Sequence, residues 1–258
     1  MTCLQENRFM TIFSEGGNNM GTCIITGAGS GIGKATAIQL AQKGYYSHYA
    51  LIGRNEHDLQ STLKEMSKHL DESNIHIYNM DLAFPEKIPS IVERIENEMG
   101  DIRCLLNIAG YTDPASLLTT SLESFDLTYR VNVYSPFMFM RECVKYMKQK
   151  GGKILNVAST AGMTPRPGWL SYASSKAAVI SMSETLTAEL SEYGIMVYCI
   201  SPGRCATKLR KRLAPDEDPT TIMQPDEVAD VICNLINPDE QCLDGQNIVI
   251  RKKINSHK

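Results

Sequence analysis

An apolar run that breaks into a string of glycines constrains this chain more than any other feature. Thr22-Cys-Ile-Ile-Thr26 reads as a strand buried on both faces, and Gly27-Ala28-Gly29-Ser30-Gly31-Ile32-Gly33 as a tight turn. Lys34 to Lys43 then reads as a helix that Gly44 ends. Glycines permit both the turn and a close approach of backbone to ligand. The N-terminus of the helix that follows offers free N–H groups and a partial positive charge, which suits a phosphate. A strand, a glycine turn and a helix in this order predict a dinucleotide site.

The same alternation continues along the chain. Further strands are expected at Ser47 to Ile52, Ile75 to Tyr78, Ile102 to Leu106, Lys153 to Ala158, Ile195 to Ile200 and Asn247 to Ile250. Helices are expected at Glu56 to Leu70, Pro85 to Met99, Phe125 to Lys150, after Tyr172, and at Asp226 to Ile236. Such alternation means right-handed βαβ units and a parallel sheet, with ligands bound in a crevice at the carboxyl ends of the strands. The fold class is therefore α/β, a doubly wound Rossmann-type sheet of about seven strands. With 258 residues, 43 % of them hydrophobic, the chain suits one such domain over 21–258. Residues 1–20 read as a loosely ordered extension, with Met20 a candidate alternative start.

A formal net charge of −3 argues against nucleic acid as a partner. No apolar run approaches the ~18–20 residues of a membrane span, so no membrane partner is expected. The eight cysteines include no C-x-x-C pair, and several lie in strand-like runs, which suits small hydrophobes in a reducing cytoplasm. No histidine shows ligand spacing, and no metal is expected. His57, His69 and His76 read as surface or loop residues.

Two positions bear on the choice of dinucleotide. An acidic residue about 20 positions after the glycines would hold a ribose 2′-hydroxyl. Here the second strand ends in Gly53-Arg54-Asn55, and the Arg54 guanidinium suits a 2′-phosphate instead. NADP(H) is the preferred cofactor, with NAD(H) the second option. Ser30 stands where a basic residue would have added another phosphate contact.

The chemistry is expected at Ser159 and Tyr172-x-x-x-Lys176. Tyr172 and Lys176 are four apart, so on a helix they share a face at about 5–6 Å between Cβ atoms. A cation beside a phenol lowers a pKa that is about 10 in isolation. Lys208 to Gln224, rich in charge and proline, reads as a lid over the substrate. Its run Lys208-Arg210-Lys211-Arg212 reads first as a solvated helix face and second as a greeting for an anionic substrate or carrier.

Taken together, Thr26-Gly27-x-x-x-Gly31-Ile32-Gly33, Asp81-Leu82, Asn107-x-Ala109-Gly110, Asn132, Ser159, Tyr172-x-x-x-Lys176 and Pro202-Gly203 with Thr207 resemble the short-chain dehydrogenase/reductase family over about residues 21–251. The resemblance implies reversible alcohol–carbonyl oxidoreduction with NAD(P)(H). It implies that Tyr172 is the general acid/base, that Ser159 polarises the carbonyl, and that Lys176 binds the nicotinamide ribose. Asn132 would order a water in the proton relay. Gly27, Gly29, Ser30, Gly31, Ile32 and Gly33 would hold the cofactor's phosphates, with Ala109, Gly110, Pro202 and Gly203 around them. Asp81 and Leu82 would meet the adenine, Asn107 the adjoining ribose, and Thr207 and the backbone at Cys205 the carboxamide. Ile108 departs from the family's second asparagine, Cys205 from its usual Ile or Val, and the C-terminal Asp-Gly-Gly is missing. A small carbonyl or alcohol, including a 3-oxoacyl thioester, is the expected substrate. A homodimer or homotetramer is expected through the helices bearing Phe137-Met-Phe-Met140 and Ala173 to Ala178. The competing reading is an NADP-binding regulator or sensor without significant turnover. A sugar-nucleotide epimerase or dehydratase is disfavoured by the glycine spacing.

Overall fold

Seven strands, β1 (Thr22–Thr26), β2 (His48–Gly53), β3 (Ile75–Asn79), β4 (Ile102–Asn107), β5 (Gly152–Val157), β6 (Ile195–Pro202) and β7 (Asn247–Ile250), form one parallel sheet in a computed structural model. The structure describes residues 21–252, so the expectations for residues 1–20 and for the tail beyond 252 lie outside it. The strand order is β3-β2-β1-β4-β5-β6-β7. Successive strands are therefore added outward in opposite directions from β1 and β4, and this switch point opens a crevice at their carboxyl ends.

The helices cover both faces. On one side α1 (Gly31–Lys43), α2 (Glu56–Met66) and α8 (Pro225–Leu235) bury Leu40, Leu59 and Ile232 against Ile25, Leu51 and Tyr198. On the other, α3 (Ile88–Met99) and α5 (Ser135–Met147) bury Val92 and Phe139 against Ile24, Ile52 and Leu105. Successive strand residues alternate between these two cores, as a sheet covered on both faces requires. The remaining helices are α4 (Leu122–Tyr129), α6 (Leu170–Leu190) and α7 (Lys208–Leu213).

Several boundaries differ from the sequence expectation, and each difference has a local cause. Helix α1 begins at Gly31 rather than Lys34, so the last glycines of the turn are the first turn of the helix. Helix α2 stops at Met66 rather than Leu70, where the segment tightens and the N–H groups of His69 and Leu70 both turn to the carbonyl of Met66. The helix expected over 125–150 is three pieces, α4, a π-helical turn at Arg130–Tyr134, and α5. Pro136 has no N–H to give to the carbonyl of Asn132, so a regular α-helical bond there is impossible. The chain inserts a residue instead, and the N–H of Ser135 reaches back to the carbonyl of Arg130.

Lys153, buried in β5, anchors the far end of α8. Its Nζ donates to the carbonyls of Asn237 at 2.6 Å, Glu240 at 2.5 Å and Leu235 at 3.4 Å. The ammonium thus meets the carbonyl of Leu235, which ends α8, and two carbonyls of the loop that follows. Of the three histidines read as surface or loop residues, His57 and His69 are exposed, and His76 lies 3.5 Å from Glu98.

Candidate active site

The glycine turn holds the floor of the crevice. A Cβ on Gly33 would lie 2.2 Å from the carbonyl oxygen of Gly27, and one on Gly27 would lie 2.9 Å from Cα of Ala109. Gly27 also has φ +72°, in the left-handed region that glycine adopts without strain. Ser30 precedes α1 in an extended conformation and makes no side-chain cap, and the first turn carries no acidic residue. The N-terminus of this 13-residue helix therefore keeps its positive end for a ligand.

Above that floor lies a cleft of about 520 Å³. Gly27, Ser30, Gly31, Ile32 and Gly33 line it from the turn, and Ala109 and Gly110 from the end of β4. Ser159, Tyr172 and Lys176 line it from β5 and α6, and Pro202, Gly203, Cys205 and Thr207 from the end of β6. Positions scattered over 180 residues thus share one wall-to-wall space. Gly29 and Arg54 line an adjoining cavity. Asp81, Leu82, Asn107 and Asn132 line neither.

Those four are hydrogen-bonded into the surrounding frame. Asp81 accepts the N–H of Ala83 at 3.0 Å, and the carbonyl of Leu82 accepts Ser135 Oγ at 2.7 Å. Asn107 donates Nδ2 to Asn156 at 2.8 Å, while its buried Oδ1 has no protein partner. Asn132 is saturated at its side chain. Its Oδ1 accepts the N–H of Tyr111 at 2.8 Å, and its Nδ2 donates to the carbonyl of Tyr111 at 2.9 Å and to Ser175 Oγ at 3.0 Å.

At the reacting end, Ser159 follows β5 in an extended conformation and accepts the N–H of Ala161 at 3.2 Å. Tyr172 and Lys176 share one face of α6, with Lys176 Nζ 5.8 Å from the centre of the phenol ring. That ammonium donates to the carbonyl of Val157 at 2.7 Å. Burial pushes it well below its ordinary value, to about 8.

Here the expectation of a depressed tyrosine needs correction. Among the protein's own groups, burial is the dominant influence on Tyr172 and raises its pKa. Hydrogen bonding with Ser159 and the charge of Arg210 offset this in part. The charge that offsets burial at the phenol thus comes from α7. Arg210 lies over the Trp169 ring at 5.7 Å and is forked onto Glu217 at 2.5 and 2.7 Å.

The basic run is exposed at Lys208, Lys211 and Arg212, as expected of a solvated face, while Arg210 is partly buried. Thr207 caps α7 by accepting the N–H of Arg210 at 3.0 Å, and the backbone bridge between Cys205 and Met223 closes the segment. Sequence reading missed Arg210, Glu217 and Ser175 as site residues. The signal available was the seven-residue spacing from Arg210 to Glu217 within one polar segment.

The residues present fit a nicotinamide dinucleotide. A backbone cradle that side chains would fill, an uncapped helix N-terminus, and the orphaned Oδ1 of Asn107 are all features a bound nucleotide would use. Among the described residues there is no cluster able to hold a metal ion, and no helix long and apolar enough to cross a membrane.

The family model described as short chain dehydrogenase matches residues 21–218. The chain belongs to that family. Short-chain dehydrogenases move a hydride between a nicotinamide cofactor and a carbonyl or secondary alcohol, and this chain is an oxidoreductase of that kind. A 3-oxoacyl-[acyl-carrier-protein] reductase of Thermotoga maritima is 34 % identical over 237 residues, 88 % of this chain and 95 % of that protein. A solved 3-ketoacyl-(acyl-carrier-protein) reductase from Brucella melitensis, complexed with NADH, is 25 % identical at a TM-score of 0.80, covering 89 % of this chain and 96 % of that one. A protein solved as ElxO with NADP bound is likewise 25 % identical at 0.79, covering 89 % and 96 %.

Proposed function

We propose that this short-chain dehydrogenase reduces a carbonyl substrate with NADPH, and that a 3-oxoacyl thioester is the substrate class to test first. The observation that carries the reading is the convergence of Ser159, Tyr172 and Lys176 on one cleft with the glycine turn. The likeness to 3-oxoacyl reductases supports the thioester class.

A bound nicotinamide would supply the hydride. Tyr172 gives its phenolic proton to the developing alkoxide, and Ser159 Oγ donates a hydrogen bond to the same oxygen. Lys176 holds the ribose side and keeps a positive charge near that oxygen. The raised pKa of Tyr172 suits this direction, because a reductase needs the neutral phenol as its acid. In the reverse direction the same residue must first lose its proton.

NADP(H) preference is supported by Arg54, which directly follows β2 and lines the adjoining cavity. Residues 208–224 act as the substrate lid. The half-exposed Phe137 and Tyr134 on or beside α5 support a homodimer or homotetramer, and a monomeric mass by light scattering would reject it. Free cysteines, nearly all buried, support a reducing compartment such as the cytoplasm.

Tyr172→Phe tests the mechanism. Turnover with acetoacetyl thioester and NADPH should fall by at least about 10²–10⁴-fold, with cofactor binding retained. Retained turnover would overturn the assignment.

A further inference from the structure

Beside the reaction cleft lies a second cavity of about 450 Å³. One wall is the ribose end of the nucleotide crevice, with Ser30, Arg54 and Asn55. The other is α7, which contributes Lys208 and Arg212. These two are four positions apart and share a helix face. The cavity is thus lined by three cations and a single carboxylate, that of Asp58.

Neither α7 cation is committed to a strong partner. Lys208 Nζ lies 3.3 Å from Asp58 Oδ2, with the lysine side chain 79 % exposed. An ion pair so wet contributes little and exchanges readily. Arg212 lies over the Tyr111 ring at 5.7 Å and reaches the carbonyl of Thr112 only at 3.5 Å. Its guanidinium fork keeps donors free for an oxyanion. Meanwhile the glycine turn has Ser30 where a second base would stand.

We propose that α7 supplies that missing base. Lys208 and Arg212 bind the 2′-phosphate of NADP(H) together with Arg54, and Lys208 screens the phosphate from Asp58. The substrate lid is then also the cofactor's phosphate clamp. This rests on the NADP reading given above.

Titration calorimetry with 2′,5′-ADP and 5′-AMP isolates the extra phosphate. The double variant Lys208→Gln/Arg212→Gln should weaken 2′,5′-ADP about tenfold or more, the scale of a charge-assisted contact to phosphate, and leave 5′-AMP unchanged. In the unmodified protein, 2′,5′-ADP should protect 208–213 from trypsin more than 5′-AMP does. Unchanged affinity for 2′,5′-ADP, or equal loss for both nucleotides, overturns the clamp. If the unmodified protein binds both nucleotides equally, the NADP reading fails and the clamp with it. If Arg54→Ala abolishes a preference that the double variant retains, only the clamp fails.

Discussion

Lys176 should make the protein less stable in exchange for its place in the active site, and the cost is legible in its titration. Burial holds its pKa near 8, against an ordinary 10.5. Below pH 8 the folded chain carries a buried ammonium that the unfolded chain would solvate. At about 1.4 kcal/mol per tenfold change in proton affinity, that amounts to about 3 kcal/mol at pH 7. Between about 8 and 10.5 the unfolded chain keeps the proton that the folded one has released. Stability contributed by this site therefore rises with pH across that window. By pH 9.5 the cost has shrunk to about 1.4 kcal/mol.

Lys176→Met keeps the aliphatic stem and removes the charge. It also deletes the hydrogen bond to Val157, which returns about 1–2 kcal/mol against the gain. The variant should be more stable than the parent at pH 7 by about 1–2 kcal/mol, a rise of roughly 2–8 °C in Tm for a chain of this size. That advantage should fall by about 2 kcal/mol between pH 7 and pH 9.5, while reductase activity is lost at both. Thermal unfolding followed by circular dichroism at the two pH values, parent and variant side by side, measures it. A variant less stable at pH 7, with a difference that does not move with pH, would refute the reasoning.

Lys153→Met should do the opposite, since this ammonium satisfies three carbonyls at the end of α8, and a loss of about 2–4 kcal/mol is expected in urea unfolding. Gly33→Ala would drive its Cβ into the carbonyl of Gly27, so calorimetry should find dinucleotide binding abolished and a lower Tm. Asn132→Asp keeps the acceptor for Tyr111 N–H but loses both donors of Nδ2, and should cost about 2–4 kcal/mol together with most of the activity. In carbonyl reduction, kcat/KM should be flat through neutral pH and decline above about 8 as Lys176 loses its proton, whereas alcohol oxidation should gain from higher pH; a reduction rate that climbs above pH 8 would contradict both assignments.

The elements that position the site were readable because each carries its own local signal. The glycine string states its conformational demand in the residues themselves, and the strand ends follow from short apolar runs. What the sequence hid depends on distance or burial. The π-helical turn at Arg130–Tyr134 reflects Pro136, which has no N–H to give to the carbonyl of Asn132, and a helical period alone does not report it. The contact of Lys208 with Asp58 joins residues 150 positions apart. The direction of the Tyr172 shift was misjudged because spacing predicts which charges are near, while only the packed structure tells how little water remains.

Helix α7 then takes on a particular weight, because six residues face two chemistries. Arg212 faces the ribose end, whereas Arg210 and Leu213 face the reaction cleft, and Thr207, which caps the helix, stands against Gly31 of the glycine turn, 3.2 Å from where a Cβ would be. A ligand that fixes α7 from one side lowers the ordering that a ligand on the other must supply. By thermodynamic reciprocity, cofactor phosphate and substrate should each tighten the other's binding through this one short helix. Arg210 is also one of the groups that lower the Tyr172 pKa, so its replacement should shift the pH profile of the reaction. Residues 207–217 thus carry on one short segment side chains that line both cavities.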